Sequence, residues 1–133
     1  MEVALQWLKN ARGVMSEIEN TQQENITKAA TVMADAIEKG HWVHTFGCGH
    51  ATIPIQEMYP RIGGFVGFHP ICELPLTFFT QIVGDLGVHQ FVFLERVEGY
   101  GVQIMKGYNF NENDVMWIFS HTGINLSLIH ISE

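Results

Sequence analysis

Basic residues are scarce in this chain. Only 7 lysines and arginines stand against 14 aspartates and glutamates, a net charge of −7 with histidines neutral. A nucleic-acid binder has to neutralise phosphates with Lys and Arg, so nucleic acid is not an expected partner. Cysteine is scarce as well. Cys48 and Cys72 are the only two, too few for a disulfide framework, and a reduced, cytoplasmic protein is expected. No apolar run approaches the ~20 residues of a membrane span. The N-terminus lacks the basic start and apolar stretch of a secretory leader, so no membrane association is expected. Charged residues are only 16% of the chain and hydrophobic residues 47%, the reverse of a disordered composition. A length of 133 residues suits one domain, and no repeat, low-complexity tract or linker interrupts it.

The first forty residues read as two helices. Ala4, Leu8, Ala11, Met15 and Ile18 recur at helical spacing. Thr21 and Glu24 form a Thr-x-x-Glu capping box that should open a second helix. That helix carries Ile26, Ala29, Ala30, Met33 and Ile37 on one face and stops at Lys39-Gly40. The period then changes. Residues 41–46 are β-rich and run into Gly47-Cys48-Gly49. Residues 51–59 read as a helix with Pro54 in its first turn, residues 65–68 as a strand, and residues 76–83 as a helix. His69-Pro70 and Leu74-Pro75 frame a loop. Val97, Tyr100, Gly101, Ile104 and Met105 have helical spacing up to Gly107. Val115-Met116-Trp117-Ile118-Phe119 is continuously apolar, as a strand covered on both faces would be. Trp7, Trp42 and Trp117 read as core. Alternating strands and helices predict an α/β fold, a three-layer α/β/α sandwich with a mostly parallel sheet, preceded by two helices.

Two segments share one grammar: a strand, then a short loop of glycine and hydroxyl residues. They are Phe46-Gly47-Cys48-Gly49-His50-Ala51 and Phe119-Ser120-His121-Thr122-Gly123. In parallel sheets, ligands bind beyond the carboxyl ends of strands. Glycines let backbone N–H groups approach an anion, and hydroxyls add donors. Taken singly, Gly47 and Gly49 fit a tight strand–helix turn equally well, and Ser120 or Thr122 fits a helix cap. Together they favour an anion site.

The pair of loops is similar to a known family. Gly47-Cys48-Gly49-His50-Ala51 resembles the first-strand loop of sugar isomerase (SIS) domains, usually Gly-x-Gly-x-Ser, with Ala51 where a serine is usual. Ser120-His121-Thr122-Gly123 resembles their Ser-x-Ser/Thr-Gly phosphate loop. Glu95-Arg96-Val97-Glu98-Gly99-Tyr100-Gly101 looks like the helix before that loop in an uncharacterised phosphosugar-binding branch. The resemblance implies a sugar-phosphate ligand held by Gly47, Gly49, His50, Ser120, His121, Thr122 and Gly123. It implies an aldose–ketose isomerase or related phosphosugar enzyme, or alternatively a non-catalytic sensor or an inactive fragment. It also implies a homodimer or higher homo-oligomer when full length. Gln56-Glu57-Met58 matches the helix that carries a catalytic glutamate in phosphoheptose isomerases, which gives Glu57 the role of base. The alternative for Glu57 is a solvated carboxylate or a partner for Arg61 at i+4. Residues 126–133 do not resemble the helix that follows the phosphate loop in this family. They look like translated adapter sequence, and a genuine divergent terminus is the alternative. Residues 1–125 are therefore expected to be the N-terminal portion of a single SIS domain and residues 126–133 a non-native tail.

Other chemistries are weaker. No metal and no cofactor are expected. His41 and His44, three apart on a strand, would face opposite ways, and Cys48 with His50 lacks further ligands. Cys48 lacks a visible base to activate it as a nucleophile. A dinucleotide loop would need a third glycine, where Thr52 stands.

Overall fold

A computed structural model describes residues 1–59, 61–80 and 84–123. Two compact units divide the chain, Met1–Asp35 and Ala36–Glu133.

The first unit holds helix α1 (Glu2–Thr21) and most of α2 (Gln23–Glu38). The two helices follow the apolar spacing, but the expected capping box does not form. Thr21 is the last residue of α1, its hydroxyl donating to the Glu17 carbonyl at 2.7 Å and accepting from the Gln22 side chain rather than from an N–H of α2. Gln22 takes over the junction, with its backbone N–H on Ile18 O and its side-chain oxygen accepting from Asn25. Trp7 is 67% exposed and does not enter a core.

The second unit is α/β. Strand β1 (Val43–Gly47) lies between β2 (Phe68–Pro70) and β3 (Val115–Phe119), and both pairings are parallel. Val43 is level with Phe68 and Val115, and Gly47 with Phe119. Between the strands lie a 3-10 turn (Gly49–Thr52), α3 (Ile53–Met58), α4 (Leu74–Thr77), α5 (Asp85–Leu94) and α6 (Tyr100–Met105). All five residues of β1 are buried. Phe46, Cys48, Ile71 and Leu76 form the core, and Phe91, Leu94, Tyr100, Ile104, Met116 and Ile118 pack against it. Strand alternation puts Phe46, Met116 and Ile118 on one face, which the α5–α6 layer covers.

Several boundaries moved. The second strand is Phe68–Pro70 rather than 65–68. Pro70 is tolerated because β2 is an outer strand of the described sheet, where a missing N–H leaves no ladder bond unmade. Strand β3, expected to be covered on both faces, is half-buried along its length, as an outer strand is. Trp117 in it is half-buried against Phe68 and Phe119, and Trp42 is 50% exposed. Of the expected helix over 76–83, only Leu76 and Thr77 fall in α4, which ends at Thr77, and the last three expected positions lie outside the described residues. So does the tail at 126–133.

At the amino end of the strands a polar cluster ties β3 to β1. Asp114 accepts from the Trp42 N–H at 2.9 Å and the Asn111 N–H at 2.8 Å, and its Oδ2 lies 3.1 Å from His44 Nε2. His44 Nδ1 lies 2.9 Å from His69 Nδ1 on β2. The strand begins only at Val43, so His41 precedes it and approaches the same carboxylate, at 3.9 Å. The backbone donors of Trp42 and Asn111 hold the Asp114 carboxyl down at about 2.

Candidate functional site

The carboxyl ends of β1 and β3 lie side by side because the strands pair in parallel register, Gly47 beside Phe119. Each therefore delivers its loop to the same end of the sheet.

After β1 the chain folds directly into the 3-10 turn and α3. Ala51 N–H bonds to Cys48 O at 3.1 Å, Thr52 Oγ1 to Gly49 O at 2.7 Å, and Gln56 Nε2 to Thr52 Oγ1 at 2.9 Å. Both glycines are demanded by this turn. A Cβ on Gly47 would stand 2.6 Å from the Ala51 carbonyl oxygen, a contact with backbone that cannot rotate away. Gly49 has φ +58°, and a Cβ there would meet the Phe91 ring at 2.5 Å. After β3, the Ser120 hydroxyl accepts the Gly123 N–H at 2.8 Å. That bond closes the loop and leaves the hydroxyl hydrogen to donate elsewhere.

Cys48, His50, Ala51, Phe91, Glu95, Ser120, His121 and Thr122 line a cleft of about 270 Å³. That is at the small end of ligand sites, which run ~300–1,000 Å³, and suits a small metabolite better than a dinucleotide. A second cleft adjoins it, with His50, Ala51, Pro54 and Ser120 in its wall. Of the residues singled out in the sequence, His50, Ser120, His121 and Thr122 come together here. Gly47, Gly49 and Gly123 shape the loops without lining this cleft. Glu57 is exposed, ion-paired with Arg61 one turn on, and lines none of the clefts around the two loops. Among the described residues no cluster of three His, Cys, Asp or Glu is arranged to hold a metal.

Two cleft residues were not among the site residues expected from the sequence, although Glu95 stands in the Glu95–Gly101 motif of the family resemblance. Phe91 and Glu95 come from the end of α5, a helix with no amphipathic stripe to announce it. Glu95 is only 8% exposed, and burial pushes its carboxyl up, against a smaller downward pull from Arg96.

Comparison with known proteins fits this arrangement. The SIS-domain family model matches residues 6–133. The chain belongs to the SIS-domain family. It is 34% identical over 104 residues to a UPF0309 protein of Geobacillus sp. strain WCH70, covering 78% of this chain and 40% of that protein. A UPF0309 protein of Listeria innocua is 29% identical over 90% of this chain and 46% of its own length. One of Oceanobacillus iheyensis is 30% identical over 89% of this chain and 46% of its own. The chain thus spans about half the length of the curated relatives it matches. Within this SIS domain, no helix among the described residues is long and apolar enough to cross a membrane.

Proposed function

We propose that this chain binds phosphorylated sugars, with the phosphate held by Ser120, Thr122 and the backbone N–H groups of their loop. The observation that carries the reading is the convergence of both loops on one cleft at the carboxyl ends of adjacent parallel strands. The Ser120 side chain supports it, because its bond to Gly123 fixes the loop before any ligand arrives. Family membership supports the ligand class. The finer reading is an aldose–ketose sugar-phosphate isomerase, with Glu57 as the base by resemblance to phosphoheptose isomerases. The pairing of Glu57 with Arg61 favours a second reading, a sugar-phosphate sensor without turnover.

Thr122→Ala separates phosphate binding from an empty cleft. A hydrogen bond to a charged group is worth ~1.5–3 kcal/mol, so affinity for sugar phosphates should fall by about tenfold or more. Equal affinity in variant and parent, measured by calorimetric titration, overturns the assignment. Turnover of any member of a panel of aldose and ketose phosphates decides for the enzyme over the sensor.

A further inference from the structure

Among the described residues, Glu95 is the one carboxylate in the wall of the cleft that holds Ser120 and Thr122. Two local rules are broken there. Glu95 follows the last residue of α5, where helix carbonyls concentrate negative charge and an anion is disfavoured. Its side chain is also withdrawn from water, which favours the neutral acid. Both effects act on the same group, and burial does push its carboxyl up. Sites that break local rules in this way concentrate where ligands bind.

Titratable and charged groups stand near it among the described residues. Cys48 follows β1, His50 stands in the 3-10 turn, His121 in the loop after β3, and Arg96 is its neighbour in sequence. Among the described residues no lysine or arginine lines the cleft. A bound phosphate therefore adds negative charge to a wall whose described residues include no lysine or arginine. Like charge nearby favours the neutral form of a carboxyl still further.

We propose that anion binding in this cleft is coupled to uptake of one proton by Glu95, so that the phosphate of a phosphosugar is received beside a neutral carboxyl. This rests on the phosphosugar reading above. The neutral acid offers an O–H donor to the phosphate or to a sugar hydroxyl and keeps acceptor capacity, whereas the carboxylate only accepts. The proton comes from solvent and returns to it on release. Affinity is then highest where Glu95 is already protonated, and it falls as pH rises between the pKa values of the free and the occupied site.

The test is calorimetric titration of inorganic sulfate and inorganic phosphate into the intact chain, from pH 5 to 8. Each is run in two buffers of different ionisation enthalpy, which counts the protons taken up. Sulfate keeps its charge across this range, so uptake on sulfate binding belongs to the protein. The expected result is uptake approaching one proton per anion and affinity falling about tenfold per pH unit where uptake is complete. Glu95→Gln, which fixes the neutral state, should still bind sulfate but lose the uptake and the pH dependence. Binding by the parent without proton uptake overturns this inference and leaves the phosphosugar reading standing. Undiminished uptake in Glu95→Gln also overturns it, and assigns the protons to His50 or His121. If neither anion binds the parent, both readings fall together.

Discussion

Replacing Asp114 by asparagine should loosen the amino end of the sheet more than its small change in volume implies. Asp114 gathers three donors: the Trp42 N–H, the Asn111 N–H and His44 Nε2. Trp42 immediately precedes β1 and His44 lies within it, and the Asn111 N–H belongs to the turn before β3. The side chain is only 6% exposed, so solvent replaces little of what is lost. Holding a carboxyl from 3.8 down to about 2 corresponds to roughly 2 kcal/mol of stability at neutral pH. In asparagine one oxygen remains as acceptor and the amide turns two hydrogens toward existing donors. A further bond worth ~1 kcal/mol is then lost. A total of about 2–4 kcal/mol is a large part of the ~5–15 kcal/mol that holds a domain together. The urea midpoint should drop by about 1–2 M, given slopes of ~1–3 kcal/mol per M. The pH dependence has a definite sign. The contribution of Asp114 is fully present above about pH 4 and disappears as pH falls through its folded value near 2. The parent should therefore lose stability across that window, and the variant should lack this share of the acid limb. Circular dichroism in urea, repeated from pH 2 to 7, measures both. A variant within ~0.5 kcal/mol of the parent, with an unchanged acid limb, refutes the reasoning.

His69 predicts a second acid sensitivity, at milder pH. Burial first, and the neighbouring His44 second, lower its pKa from 6.5, so the unfolded chain binds the proton more readily and stability falls as pH drops below that value; equal melting temperatures at pH 7.5 and 5.5 count against this. Gly47→Ala should destabilise by about 1–3 kcal/mol, as overpacking does, and weaken anion binding too, because a Cβ 2.6 Å from the Ala51 carbonyl oxygen displaces the turn. A fully stable Gly47→Ala protein with parental affinity shows that the turn has room. Glu57→Gln should cut turnover by ~10²–10⁴ if Glu57 is the base of an isomerase, and steady-state rates on sugar phosphates decide it; parental turnover removes that role.

What could be read in the sequence depended on how local its cause was. The helical periods of α1 and α2, the strand before each loop, and the two loops themselves are written in neighbouring residues, and they were legible. Helix α5 was not. Leu86, Val88, Phe91, Val92, Phe93 and Leu94 leave it apolar on several sides, so no single stripe marks its period. Thr21 and Glu24 have capping-box spacing, but Thr21 belongs to the last turn of α1 and its hydroxyl oxygen accepts from the Gln22 side chain. The same limit governs the site. Glu57 was singled out by resemblance, on the helix leaving the first loop, and Glu95 entered only as the first residue of the Glu95–Gly101 family motif. Its burial is a tertiary fact. It arises because β3 pairs with β1 and brings residues 120–122 against the end of α5, 25 positions upstream of Ser120 in sequence.

The chain's charge then constrains how such a cleft can hold an anion. The protein carries 14 acidic residues against 7 basic ones, and among the described residues none of the basic ones lines the cleft. Long-range attraction cannot concentrate a sugar phosphate at its mouth, because steering needs a field of the opposite sign. Affinity has to come from short-range donors: the Ser120 and Thr122 hydroxyls, loop N–H groups, and any proton held by His50, His121 or Glu95. Contacts of that kind are buried on binding and are screened far less than surface ion pairs. Added salt should therefore leave affinity nearly unchanged, or raise it slightly by screening the net charge of −7. A steep loss of affinity between 0.05 and 0.5 M sodium chloride in calorimetric titration would require a cation at the anion, and would contradict a phosphate site built from hydroxyls, loop amides and a neutral Glu95.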